Sequence, residues 1–156
     1  MVATNTDYEI VNPSPSSLVE SNRAFGYSPE TSIADLLDNS ITAGARNIWI
    51  DFRWNGADSS IHILDDGAGM TEDELKNAMR LGSSNPLNVR DAKDLGRFGL
   101  GLKTASFAQC RSLTVASLTT EDVQSTRVWD LDVVSEMDEW RLLKEPTALN
   151  AVLISQ

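Results

Sequence analysis

Three stretches of this chain hold residues whose types and spacing could do chemistry. In residues 32–45, SIADLLDNSITAGA, Asp35 and Asn39 lie four apart, so on a helix they point the same way, one turn above the other. A carboxylate beside a carboxamide offers a base for activating water and a hard oxygen for Mg²⁺. A solvated polar face would use the same two residue types. In residues 63–70, ILDDGAGM, Asp65 opens a D-x-G-x-G pattern at the end of an apolar run. A carboxylate leaving a buried strand can accept a hydrogen bond from an exocyclic amine, and the two glycines let the backbone approach a flat ring. Such a site separates adenine, which offers a donor there, from guanine, which offers an acceptor; the mismatch can be worth roughly 10⁴ in selectivity. An ordinary acidic turn is the plainer reading. The third stretch, residues 96–104, GRFGLGLKT, is glycine-rich and leads into a helical pattern with Lys103 in its first turn. Backbone N–H groups at a helix start can cradle phosphates, and a lysine adds a point charge. A P-loop is excluded, because Leu102 separates Gly101 from Lys103 and the preceding residues are polar rather than strand-like.

These groups need elements to hold them. Ile33, Leu37 and Ile41, with Leu36 beside them, mark the buried face of the helix that carries Asp35 and Asn39, and Gly44 is its expected stop. Ser28, Pro29 and Glu30 read as its start. A shorter helix is expected over 18–25. Residues 47–54 and 60–64 read as paired strands around the turn at Asn55-Gly56, with Ile48, Ile50, Phe52 and Trp54 on one face. His62 lies in the second of these strands and is assigned no chemistry. Thr71 with Glu74 forms a capping box for a helix running to about residue 81, and the helix after the glycine-rich loop should span 102–108. Strands are expected at 112–118, 125–133, 139–143 and 148–155. They would carry Trp129 and Trp140, as the first hairpin carries Trp49 and Trp54, in core or sheet-face positions. Helices come early, most strands come late, and no βαβ alternation runs through. This order predicts an α+β fold: a two-layer sandwich with helices on one face of a mixed or antiparallel sheet.

The chain has 156 residues, 41% of them hydrophobic, which suits one domain with its own core over 18–156, preceded by a polar arm over 1–17. The single cysteine, Cys110, rules out an internal disulfide and fits a reducing cytoplasm. No membrane association is expected, since no apolar run is long enough to span a bilayer. With 13 basic against 23 acidic residues and a net charge of −10, direct binding of nucleic acid by this domain is not expected. A bound polyphosphate would need a local exception to that field, made by a metal ion, a lysine and helix N-termini.

The order of the motifs adds more than any one of them. A helix with D-x-x-x-N, a strand-turn with D-x-G-x-G, a long polar loop and a glycine-rich helix start resemble the Bergerat nucleotide-binding fold of the GHKL superfamily, which includes gyrase B, the heat-shock chaperone, sensor histidine kinases, MutL and the MORC ATPases. The likeness covers about residues 28–116, and DNSITAGARNIWI and GRFGLGLKTAS resemble the MORC/MutL-like branch. The resemblance implies ATP and Mg²⁺ as ligands, with Asn39 holding the metal and Asp65 reading the adenine amine. Ala43, Gly69 and Met70 would shape the base pocket. Residues 82–98 would form an ATP lid, and Gly99, Leu100, Gly101 and Leu102 would present amides to the phosphates with Lys103 nearby. It further implies slow ATP hydrolysis that couples nucleotide state to lid closure, to a nucleotide-dependent homodimer or to a C-terminal partner domain in a longer parent protein.

Two departures stand out. The superfamily's general base is a glutamate at the position of Asp35, and a side chain one methylene shorter can misplace a base by about 1 Å, a ~10²-fold loss of rate. A late Gly-Thr motif that supports the adenine site in relatives is also missing, since all nine glycines precede residue 102; Thr147 is the nearest substitute. A binding-only nucleotide sensor and a histidine-kinase-type catalytic domain are therefore the alternative functions, with a plain α+β interaction domain behind them.

Overall fold

The computed structural model describes residues 7–24, 26–81, 101–121 and 123–146. The proposed lid, Gly99, Leu100, Thr147 and the strand expected at 148–155 lie outside the described residues. Among those described, α1 (Pro15–Arg23), α2 (Pro29–Thr42), α3 (Glu72–Met79), α4 (Gly101–Gln109) and α5 (Leu131–Met137) accompany β1 (Ile48–Arg53), β2 (Ser60–Asp65), β3 (Ser112–Leu118) and β4 (Gln124–Asp130). The fold is α+β, as the element order predicts. Its described strands form two separate antiparallel pairs, β1–β2 and β3–β4.

Local chemistry sets most of the boundaries. The Ser28 side chain accepts from the Thr31 N–H, and Pro29 occupies the first turn of α2. At the other end the N–H groups of Gly44 and Ala45 return to the carbonyls of Ile41 and Ser40, with Gly44 at φ +78°, a Schellman stop. Thr71 and Glu74 exchange both bonds of the expected capping box. α1 begins three residues before its expected start, inside the segment read as an arm, because Ser14 caps it and Pro15 suits a first helical position.

The core lies against the β3–β4 pair. Val19 of α1, Leu75 and Met79 of α3, Phe107 of α4, Trp129 of β4, and Leu131 and Val134 of α5 form one buried cluster. The strand expected over 125–133 is corrected here. It stops at Asp130, whose carboxylate accepts from the N–H groups of Asp132 and Val133 and starts α5. Leu131 and Val134 are then buried with helical rather than alternating spacing. In 139–143 only Leu143 pairs, bridging to Val128, and Trp140 packs edge-on against Trp129 instead of joining a strand.

The β1–β2 hairpin lies outside that cluster. Trp49 and Trp54, expected in packed positions, are 54% and 80% exposed, and Phe52 stacks on Trp54 in the open. The expected apolar face of α2 is likewise incomplete: Ile33, Leu36 and Leu37 are half-buried and Ile41 is 54% exposed. α2 instead packs on α4, with the small residues Ser32 and Ser40 buried.

The open end of the hairpin is fastened by Asp66. Its carboxylate accepts from the N–H groups of Arg46 (2.7 Å) and Asn47 (2.9 Å) and from the Asn47 amide (2.8 Å). These bonds, those from Asn47 foremost, hold its pKa below the ordinary value of 3.8.

Two outcomes follow for stability. Leu75→Ala, in the buried cluster, should cost about 2–5 kcal/mol in urea unfolding, whereas Ile41→Ala should cost under about 0.5 kcal/mol; equal losses would place the core elsewhere. Asp66→Ala should lower the urea midpoint by an amount that is full above pH 3.8 and fades as the pH falls through the depressed folded value. Unfolding curves at a series of pH values check this, and a deficit unchanged in acid would count against the Asp66 bonds.

Candidate functional site

The turn over residues 65–70 is stitched on one side to α2. The Ser40 hydroxyl donates to Asp65 Oδ2 at 2.9 Å, and the Ala68 N–H donates to the Ala43 carbonyl at 3.0 Å. Within the turn the Gly67 N–H donates to Asp65 Oδ1 at 2.9 Å. A Cβ on Gly67 would lie 2.8 Å from that oxygen and 2.9 Å from the Ala43 Cβ, so no larger residue fits between them. On its other side the turn meets β3: the Met70 N–H donates to Ser117 Oγ at 2.7 Å, and Gly69, at φ +71°, lies so close to the Leu118 carbonyl that any side chain would collide with it. Both glycines are needed for close protein packing, before any ring is considered.

The structure therefore brings together Ala43, Asp65, Gly69 and Met70, which the sequence places in two separate motifs. Asp35 and Asn39 precede Ala43 by two turns and one turn, on the same stripe of α2. Asn39 is exposed and Asp35 half-buried. The Tyr27 hydroxyl faces Asp35; burial, then the Asp35 charge and the hydrogen bond between them, raises the tyrosine pKa. Asp65 is exposed at the surface, and each of its oxygens accepts one bond, which leaves acceptor capacity free.

At the glycine-rich loop, Gly101 opens α4, which packs against α2. Leu102 is half-buried against the core cluster. The Lys103 ammonium, expected near the phosphates, donates to the carbonyls of Ala78 and Arg80, both at 2.8 Å. The physical reason is that a helical side chain runs back toward its own N-terminus, where the C-terminal carbonyls of α3 present the negative end of that helix. Burial pushes the lysine pKa down to about 8.

Sequence reading missed Ser40, Asp66 and Ser117. Each holds the turn by a contact to a distant element; only Asp66, a second carboxylate directly after Asp65, left a trace in the sequence. Two surface hollows, one lined by Glu72, Arg127 and Lys144 and the other by Pro13, Pro15 and Trp140, contain none of the residues of this cluster. Among the described residues no group of three or more His, Cys, Asp or Glu side chains could hold a metal ion alone. Asn39, exposed on α2, is an oxygen donor of the kind Mg²⁺ takes when the rest of its shell comes from water and phosphate. No helix among the described residues is long and apolar enough to cross a membrane.

Residues 27–154 match the model of the histidine kinase-, DNA gyrase B- and HSP90-like ATPase family. The chain is 32% identical to ATPase morc-1 of Caenorhabditis elegans over 64% of its length and 11% of that protein. It is 30% identical to the DNA mismatch repair protein MutL of Pseudomonas fluorescens over 67% of its length and 16% of that protein. It is 34% identical to MutL of Dictyoglomus turgidum over 72% of its length and 20% of that protein. The chain thus spans about a tenth to a fifth of the curated relatives it matches. With the D-x-x-x-N helix joined to the D-x-G-x-G turn and most of the chain matched, this protein belongs to the histidine kinase-, DNA gyrase B- and HSP90-like ATPase family.

Proposed function

We propose that the domain binds ATP with Mg²⁺, hydrolyses it slowly, and couples nucleotide state to closure of residues 82–98, to homodimerisation or to a neighbouring domain. The observation that carries the site is the joint between α2 and the 65–70 turn, where Ser40 meets Asp65 and Ala43 meets Ala68. It supports a continuous surface on which Asp65 accepts from the adenine amine, beside Ala43, Gly69 and Met70, while Asn39 holds the metal one turn along the helix. Gly99, Leu100, Gly101 and Leu102 offer amides to the phosphates. The amide roles of Gly99 and Leu100, and the lid, rest on sequence order and family membership. Mg²⁺, when bound, supplies charge neutralisation at the phosphates. Asp35 accepts the proton of the attacking water as its oxygen bonds to the γ-phosphorus and the bond to the bridging oxygen breaks, releasing ADP.

A second reading, binding without turnover, draws on one observation: Asp35 is one methylene shorter than the glutamate of relatives. The two readings separate in a single set of assays. Wild type should turn ATP over slowly and Asp35→Asn at least ~10²-fold more slowly, with ATP affinity kept; equal near-zero rates would favour binding alone. In calorimetric titration with Mg²⁺, wild type should prefer ATP to GTP, by up to ~10⁴-fold, and Asp65→Asn should lose most of that preference because a carboxamide can donate to guanine. A wild type indifferent to the base, or a variant that keeps the preference, would remove Asp65 from the site.

A further inference from the structure

Lys103 is among the large, fully buried side chains of the described residues, at 1% exposure. Lysine is seldom buried at all, and a neutral apolar residue would fill the same space without desolvating a charge. Its position accounts for the charge. α3 ends at Met79, and three successive carbonyls there are taken by side chains from elsewhere: Ala78 and Arg80 by Lys103 Nζ, and Met79 by Trp129 Nε1 at 2.8 Å. A cation is favoured at that helix end, and the bonds to Ala78 and Arg80 are charge-assisted.

The same bonds hold α4 from its first turn. Its far end is held separately, where Gln109 Nε2 donates to the Tyr27 carbonyl at 2.6 Å and Arg23 donates to the carbonyls of Phe107 and Cys110. α4 is thus tied to α3 at its start and, at its end, to α1 and to the residues leading into α2. It can neither slide nor tilt along the helix that carries Asp35 and Asn39 without breaking one set of ties.

We propose that Lys103 is a positioning residue, which sets the place and direction of the Gly101–Leu102 amides relative to Asn39 by clamping the first turn of α4 to the end of α3. The proposal rests on the ATP-binding reading and assigns the lysine to the protein side of the phosphate site, not to the phosphates themselves. A methionine keeps the shape and loses the donors, whereas an arginine keeps charge and donors.

The test compares ATP–Mg²⁺ with adenosine as calorimetric probes on folded wild type, Lys103→Met and Lys103→Arg. Lys103→Met should lose roughly tenfold or more in ATP affinity while adenosine binding holds within about twofold, and Lys103→Arg should recover most of the loss. The loss should be equal at about 0.05 M and about 0.5 M KCl, since a buried clamp is poorly screened and a lysine on exposed phosphate is not. Should the methionine variant fail to fold, Lys103→Gln, which can keep a bond to the α3 carbonyls, should show a smaller loss of the same pattern. Unchanged ATP affinity, equal losses of ATP and adenosine, or a loss confined to low salt would each overturn the proposal while leaving the ATP-binding reading intact. A wild type that binds no ATP would overturn both.

Discussion

The arrangement depends on how tightly the 65–70 turn is held between α2 and β3. The turn is exposed, yet it is bonded on both sides: Ala68 and Asp65 to α2, Met70 to Ser117 of β3, and its two glycines in contact with Ala43 and Leu118. The role proposed for Asp65 needs its carboxylate to keep its place to within a fraction of an ångström. Here its two oxygens are oriented by one hydroxyl and one backbone N–H, both supplied by groups that are themselves fixed.

Around that joint the stability of the domain is unevenly distributed. The apolar cluster belongs to α1, α3, α4, α5 and β4, whereas α2 and the first hairpin contribute little deeply buried apolar surface. Of the residues proposed to meet nucleotide, those in α2 and at the end of β2 are carried by the less packed half and are braced against the better packed half through α4 and β3. Elements that move or respond to ligand are generally drawn from the less stable part of a fold. The open Trp49, Phe52 and Trp54 on the hairpin belong to the same half.

Polar interactions, more than apolar ones, decide the register between elements. Asp66 ties the start of β1 to the end of β2, Asp130 turns β4 into α5, and Lys103 joins α4 to α3. Each is a charged group satisfying backbone groups that secondary structure leaves open at its ends. None belongs to the apolar periodicity that predicts the elements, which is why the elements were legible and their connections less so.

By itself, the sequence determined what is local: the helix start at Ser28-Pro29, the stop at Gly44, the capping box at Thr71 and Glu74, the β3 strand, and the order of motifs that points to the family. These follow from side chains acting on backbone within a few residues, and their signals survive in a linear text. Tertiary structure alone decided that Trp49 and Ile41 are open while Ser32 and Ser40 are covered, because burial depends on which neighbour arrives and not on residue type. It also decided that Ser40 meets Asp65 across 25 positions and that the Lys103 ammonium turns to the carbonyls of α3. A hydrogen bond between distant elements has no period and no spacing, so it becomes visible only once the chain has folded.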